Sequence, residues 1–207
     1  MSDLQKILTF LHEAENLKST IRALALTSGR KESAAEHSWR MALMTFIVVE
    51  ELGIEVDLLK VLKMVLVHDL PECITGDFDA SLINSGELSA EAKEKGELEA
   101  MAHLKNLLPS GSGEEIYKLW YEYQEAKTKE AIVAKAMDRL EALIQFGETG
   151  YKIIDHEFDF LATYGDKWAE QLPEARDLLG LVKKDLKREY LKGGLEWKDS
   201  YNKFMGE

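Results

Sequence analysis

Cysteine occurs once and proline three times in the 207 residues. With Cys73 alone, no disulfide can close within the chain, and the sequence reads as that of a protein of a reducing compartment. So few prolines leave room for long helices. Strand-like alternation and Asn-Gly or Asp-Gly turns are also lacking, which argues against an all-β or α/β architecture. No apolar run reaches the ~20 residues that a membrane span requires; the longest, Val61 to Val67, is interrupted by Lys63. The start has no basic segment ahead of its short apolar run, and acids follow at once, unlike a secretory signal. A soluble, cytoplasmic protein is expected.

Positive charge is scarce as well. Lys and Arg number 26 against 38 Asp and Glu, a net charge of −12. Such a surface repels polyanions and excludes general binding to nucleic acid polymers or acidic lipid, although a small anion can still bind at a local cation. What the chain does have is 45% hydrophobic residues, enough for a core. Apolar residues recur at three and four almost throughout, the signature of an all-α protein. No repeat and no Gly-, Pro- or Ser-rich linker divides it. One compact helical domain is expected over residues 1–190, followed by a C-terminal extension, 191–207, whose Trp197, Tyr201 and Phe204 pack on the body or on a partner subunit.

Ser33-Ala34-Ala35-Glu36 spells a capping box, so a helix should run from there to about Gly53. His37, Met41, Met44, Val48 and Leu52 share one face of it, with His37 one turn inside and pointing at the core. Asp57 can cap the next helix, which is apolar nearly all round and therefore buried. It ends in His68-Asp69-Leu70-Pro71-Glu72, with a kink ahead of Pro71. Thr75-Gly76-Asp77 reads as a turn and Asp79 to Glu87 as a loop. Ser89 should open a helix to Leu108, and Ser112-Gly113-Glu114-Glu115 reads as a second capping box. Thr128 should cap a helix to about Phe146, and Leu178, Leu181, Val182 and Leu186 outline a last one.

A carboxylate beside an imidazole at the end of an apolar helix requires compensation, because burying it uncompensated costs several kcal/mol. A bound cation supplies it. His68 and Asp69 are two candidate ligands, His37 is a third, and a helical carboxylate elsewhere would close the shell. Imidazole and carboxylate together suit Zn, Mn, Fe or Co. Taken alone, these residues leave another reading open, in which His37 is a hydrogen-bonded core residue and Asp69 and Glu72 cap a turn. Asp138 falls off the Val133, Met137, Leu140 stripe onto a polar edge with Ala134, Glu141 and Gln145, which by itself reads as a solvated face.

In order along the chain, Glu36-His37-Ser38, His68-Asp69-Leu70-Pro71-Glu72, Thr75-Gly76-Asp77 and Ala136-Met137-Asp138-Arg139-Leu140 resemble the HD superfamily of metal-dependent phosphohydrolases, and within it the branch of the 5′-deoxynucleotidases. The likeness runs from about Leu17 to Tyr190 and includes Glu97 to Pro109 and Leu119-Trp120-Tyr121-Glu122-Tyr123. The resemblance implies a helical HD fold with one divalent transition metal between core helices. Its ligands would be His37, His68, Asp69 and Asp138, with positions open for water and a phosphate oxygen. It further implies that Glu72 is a general acid/base, that Asp77 orients water or substrate, and that Arg22 contacts the substrate phosphate. That branch follows the arginine with a tryptophan facing the sugar; Ala23 stands here, so the resemblance carries no sugar preference.

The activity so implied is release of phosphate from (deoxy)ribonucleoside 5′-monophosphates by a homodimer. The alternatives are a non-catalytic nucleotide-binding or scaffold module of the same fold, and an HD hydrolase of another small phosphate ester. Cys73 stands where (p)ppGpp hydrolases carry a second acid, the Gly-Tyr-Pro motif of cyclic-di-GMP hydrolases is missing, and no Glu-x-x-His pair of a di-iron bundle is found. His12, His103 and His156, with Lys18 and Arg30, read as surface residues. Met41, Met44, Met64, Met101 and Met137 read as core fillers, and Cys73 as a buried thiol.

Overall fold

In the computed structural model the described residues are 1–78, 83, 86, 89–151 and 156–206. The loop expected over Asp79 to Glu87 falls largely outside them, as does the side chain of His156. The chain runs α1 (Asp3–Ala14), β1 (Ile21–Ala25), β2 (Lys31–Ser33), α2 (Ala34–Glu51), α3 (Leu58–Val67), α4 (Glu72–Thr75), α5 (Ala90–Leu107), α6 (Ser110–Glu125), α7 (Lys129–Thr149), α8 (Asp166–Gln171) and α9 (Arg176–Lys192), with short 3₁₀ turns between. The all-α expectation holds apart from the β1–β2 hairpin.

The caps fall where the sequence places them. Ser33 Oγ accepts from the Glu36 amide while Glu36 accepts from the Ser33 N–H. Asp57, Ser89 and Thr128 each accept from the backbone three residues on. The second capping box is a correction. Pro109, not Ser112, precedes the helix, and its carbonyl accepts from the Gly113 N–H at 2.9 Å. Ser112 and Gly113 thus lie in the first turn of α6, where a Cβ on Gly113 would stand 2.3 Å from the Lys105 carbonyl oxygen. The α5–α6 contact needs that glycine.

The hairpin is the second correction. Ile21 pairs with Ser33 and Ala25 with Lys31, and Gly29 takes φ +85° in the connecting turn. The strands are short, mixed in polarity and joined by a five-residue loop, so no alternation or two-residue turn announces them. Their consequence is to bring Arg22 beside Asp69.

The helix α7 is the axis of the molecule, packed against β1, α2, α3, α6, α8 and α9. With neighbours on so many sides its polar edge is enclosed: Asp138, Glu141 and Gln145 are all buried. The solvated face considered for Asp138 is therefore excluded. At the C-terminus, Tyr201 is buried and Trp197 packs edge-on between Tyr190 and Tyr201, each 5.4 Å away. Lys183, wholly buried, donates to the Tyr201 carbonyl at 3.0 Å and pairs with Asp166 at 2.6 Å.

Candidate metal centre

Three helical segments converge at one point. The capping box sets the start of α2 so that His37, one turn in, is fully buried against α7. The Asp57 cap does the same for α3, whose end delivers His68 and Asp69 just before the chain turns at Pro71. From α7 comes Asp138. His68 Nε2 lies 3.1 Å from Asp69 Oδ2, and His37 Nε2 lies 3.4 Å from Asp138 Oδ1 and 3.9 Å from Asp69 Oδ2. The two rings are 5.4 Å apart, and ligand atoms of His37, His68 and Asp69 fall within 4.8 Å of one another.

Hydrogen bonding decides which atoms face this point. His37 Nδ1 is bonded to the Glu141 carboxylate, and His68 Nδ1 to the Val65 carbonyl at 2.7 Å. Each acceptor requires a proton on Nδ1, which leaves the Nε2 lone pair directed inward. Both Nε2 atoms are buried without a hydrogen-bond partner. Asp138 is held likewise: Tyr123 Oη donates to its Oδ2 at 2.6 Å and Arg139 Nη1 at 3.1 Å, so Oδ1 is the oxygen turned to His37. Two orphaned imidazole nitrogens opposite two carboxylate oxygens form a donor set that fits a borderline divalent ion, and nothing else among the described residues satisfies them.

The charges agree. Burial works against ionisation of Asp69, yet His68, His37 and Arg22 overcome it and hold the carboxyl below the usual carboxylate range. For Asp138 burial is likewise overcome, by Arg139 and then His37, and its carboxyl stays well below the ordinary value. Burial and Arg22 both disfavour a charged His37, but the Asp138 and Glu141 carboxylates outweigh them and bring the ring up to about 9. The acids thus recruit a positive charge to this point. A divalent cation held here would answer that demand in place of the proton.

Beside these residues lies a cavity of about 430 Å³ whose wall includes Arg22, His68, Asp69, Glu72, Asp77 and Asp138. Glu72 opens α4 and is buried, with Oε2 lacking a hydrogen-bond partner. Burial, then the Asp69 and Asp77 charges, push its carboxyl up to about 10. A neutral acid at pH 7 has a proton to give. Arg22 is placed at the wall but is engaged there: Nη1 lies 3.5 Å from Asp69 Oδ2, and Nε lies 3.3 Å from Glu32 Oε2, a charge contact without hydrogen-bond geometry. Burial lowers its affinity for a proton, and Asp69, Asp77 and Asp138 more than restore it. Phe146, Phe160, Leu161 and Tyr164 give another part of the wall an apolar, aromatic character.

The other expectations sort simply. His12 and His103 are exposed, the latter 3.4 Å from Glu13. Lys18 and Arg30 are exposed, Arg30 holding Glu36 at 2.6 Å. Met41, Met64, Met101 and Met137 are fully buried, Met44 partly, and Cys73 is a buried thiol. Residues that sequence reasoning missed are those behind the ligands: Glu141, Tyr123 and Arg40, whose Nε donates to Glu141 Oε1 at 2.6 Å and Nη1 to Glu148 at 2.6 Å. The signal for Glu141 was its place three residues after Asp138, on the same face of α7.

The HD domain family matches residues 14–191. The 5′-deoxynucleotidase HDDC2 of Dictyostelium discoideum is 37% identical over 119 residues, 55% of this chain and 60% of that protein. Its Homo sapiens namesake is 31% identical over 140 residues, 68% of this chain and 64% of that protein. The chain therefore spans less than two thirds of the length of these curated relatives. A crystal structure of a predicted metal-dependent phosphohydrolase from Magnetospirillum magnetotacticum MS-1 is similar with a TM-score of 0.73 and 31% identity, covering 92% of this chain and 98% of that one.

Proposed function

The chain belongs to the HD domain family, and on that premise we propose that it is a divalent-metal-dependent phosphohydrolase releasing phosphate from (deoxy)ribonucleoside 5′-monophosphates. The observation that carries this reading is the pair of buried, unpartnered imidazole nitrogens of His37 and His68 facing Asp69 and Asp138. A transition-metal ion held by these four residues would supply Lewis-acid stabilisation of charge on phosphate oxygens and a nucleophile at neutral pH. The name shared by the relatives, 5′-deoxynucleotidase, supports the substrate class.

This chain's residues then have distinct tasks. Glu72, neutral in its buried setting, donates a proton to the departing 5′ oxygen, so that the nucleoside leaves as an alcohol. Asp77 faces the same space and orients water or substrate. Arg22 holds Asp69 in place and presents its remaining donors to the phosphate. The aromatic wall of Phe146, Phe160 and Tyr164 takes the flat face of the base. Ala23 lines the cavity with no bulk of its own, which supports no selection between ribose and deoxyribose at that point.

The homodimer and the cytoplasmic setting belong to the same proposal. Among the described residues no helix is long and apolar enough to cross a membrane. Trp39, Leu43, Phe46 and Ile47 are exposed along one stripe of α2, which supports a paired state. Residues 191–207 are read as an extension of the body.

The test is phosphate release from purified protein supplied with Mn or Co and a panel of deoxy- and ribonucleoside monophosphates, against a chelator-treated control. Release that depends on the metal, kept by no His68→Ala or Asp69→Ala variant, supports hydrolysis. Glu72→Gln should keep its metal and lose at least ~10²-fold in turnover. Nucleotide binding without release at any metal tried would favour a binding module instead.

A further inference from the structure

The face of α7 that carries Asp138 also carries Lys135, Arg139 and Ala142 into the cavity wall, at offsets of three, one and four residues from Asp138. Most cations of that wall are already engaged. Arg139 donates to Asp138 and lies 4.4 Å from the Tyr164 ring centre. Lys93 pairs with Glu97 at 3.3 Å, and Arg22 with Asp69 and Glu32. Lys135 differs: among the described residues its ammonium makes no ion pair or hydrogen bond, and its contact is the Tyr123 ring, 3.6 Å away. That ring in turn stands 5.2 Å from the His68 ring, and its hydroxyl holds Asp138. The ammonium is therefore one aromatic ring away from the ligand cluster and open to the cavity.

We propose that Lys135 is the side chain that receives the phosphate of the substrate, pairing with phosphoryl oxygens beside the point where His37, His68, Asp69 and Asp138 would hold the ion. The proposal rests on the phosphohydrolase reading and adds to it a specific anion-binding residue. A cation that makes no ion pair at a cavity wall loses hydration that its more distant counter-charges only partly replace; a dianionic phosphate in direct contact restores the balance. The electrostatics point the same way, since burial, with Arg139 nearby, lowers the Lys135 ammonium to about 8, against the pull of Asp138 and Asp69. The charged and titratable groups facing it are Asp138 and Arg139 on α7, Tyr123 on α6, Lys93 and Glu97 on α5, and Asp69 after α3. An arriving dianion raises the ammonium back toward full charge.

The experiment compares the Mn-loaded full chain with Lys135→Met and Lys135→Arg. The methionine keeps an apolar stem against Tyr123, and the arginine keeps the charge. Metal content should be the same in all three. Binding of inorganic phosphate, read by calorimetry, should weaken about 10-fold in Lys135→Met, and kcat/KM about 10²-fold. Lys135→Arg should recover most of both and move the alkaline limb of the pH profile, expected near 8 in the native chain, to higher pH. Native phosphate affinity and an unmoved limb in Lys135→Met overturn the proposal and leave the phosphohydrolase reading intact. Absence of phosphate binding by the metal-loaded native chain also overturns it. If the native chain binds phosphate through Lys135 but cleaves no monoester, the phosphohydrolase reading fails and the anion site stands.

Discussion

Glu141→Gln changes one buried oxygen into an amide nitrogen at the point where two donors converge. In the native chain one Glu141 oxygen accepts from Arg40 Nε at 2.6 Å and the other is bonded to His37 Nδ1. Glutamine has one acceptor to offer and must turn its NH₂ toward either Arg40 or His37, so one of the two contacts becomes donor against donor. If the His37 side loses, the ring is free to carry its proton on Nε2, and the nitrogen meant for the metal is blocked. Loss of a group that orients a metal-bound histidine costs about 10- to 100-fold in metal affinity, which is ~1.4 to 2.8 kcal/mol. Arg40 retains Glu148, and Glu141 is not among the residues that line the cavity, so the main effect should fall on the metal. The assay is titration of the metal-free variant with Co at neutral pH, followed by absorbance of the Co site, with melting of the metal-free protein measured alongside. A Co affinity within twofold of native, in a variant that melts normally, would refute the claim that Glu141 fixes the His37 tautomer.

Other consequences concern stability and reactivity. Arg30 first, then the Ser33 backbone, hold the Glu36 carboxyl down to about 2. Its contribution is thus present above the ordinary carboxylate range and is lost as pH falls through that range toward 2. Glu36→Gln should therefore cost about 0.5 to 1 kcal/mol at pH 7, a small value because the pair is largely exposed, and next to nothing at pH 2, measured by urea unfolding. Gly180→Ala places a Cβ 2.1 Å from the Phe204 carbonyl oxygen. Despite alanine's better helix propensity it should destabilise by ~1 to 3 kcal/mol, lowering the calorimetric midpoint by several degrees. Burial, more than the nearby Glu13, pushes the Cys73 thiol up to about 11. A disulfide thiol reagent at pH 8 should leave native protein unlabelled over minutes and react with one thiol per chain in denaturant; prompt labelling of the native chain would contradict this burial.

The local grammar of the chain carried most of the fold. Ser33, Asp57, Ser89 and Thr128 cap helices because a short side-chain oxygen three residues ahead of a free amide is a local fact, independent of the rest of the molecule. The failures were tertiary. The start of α6 was decided by Pro109 and by the close approach of Lys105 to Gly113, and neither is visible in a window of four residues. The β1–β2 hairpin has little propensity of its own and is held by its place against α7. At the site, His68-Asp69 stood out as a charged pair at the end of an apolar helix, and His37 followed from helical spacing. Asp138 needed the resemblance, because a helix buried on several faces has no single apolar stripe to read. Glu141 and Tyr123 went unseen because their roles depend on partners elsewhere in the chain: Glu141 acts on His37, 104 residues away, and Tyr123 on Asp138, 15 residues away.

The most direct measurement is a crystal structure of the protein prepared without chelator, with anomalous data at the absorption edge of the metal found by elemental analysis. One ion per chain, bound through Nε2 of His37 and His68 and through oxygens of Asp69 and Asp138, is the expected result. An ion-free site in a protein grown with excess Mn or Co, or an ion held elsewhere while those four side chains keep their positions, would contradict the account.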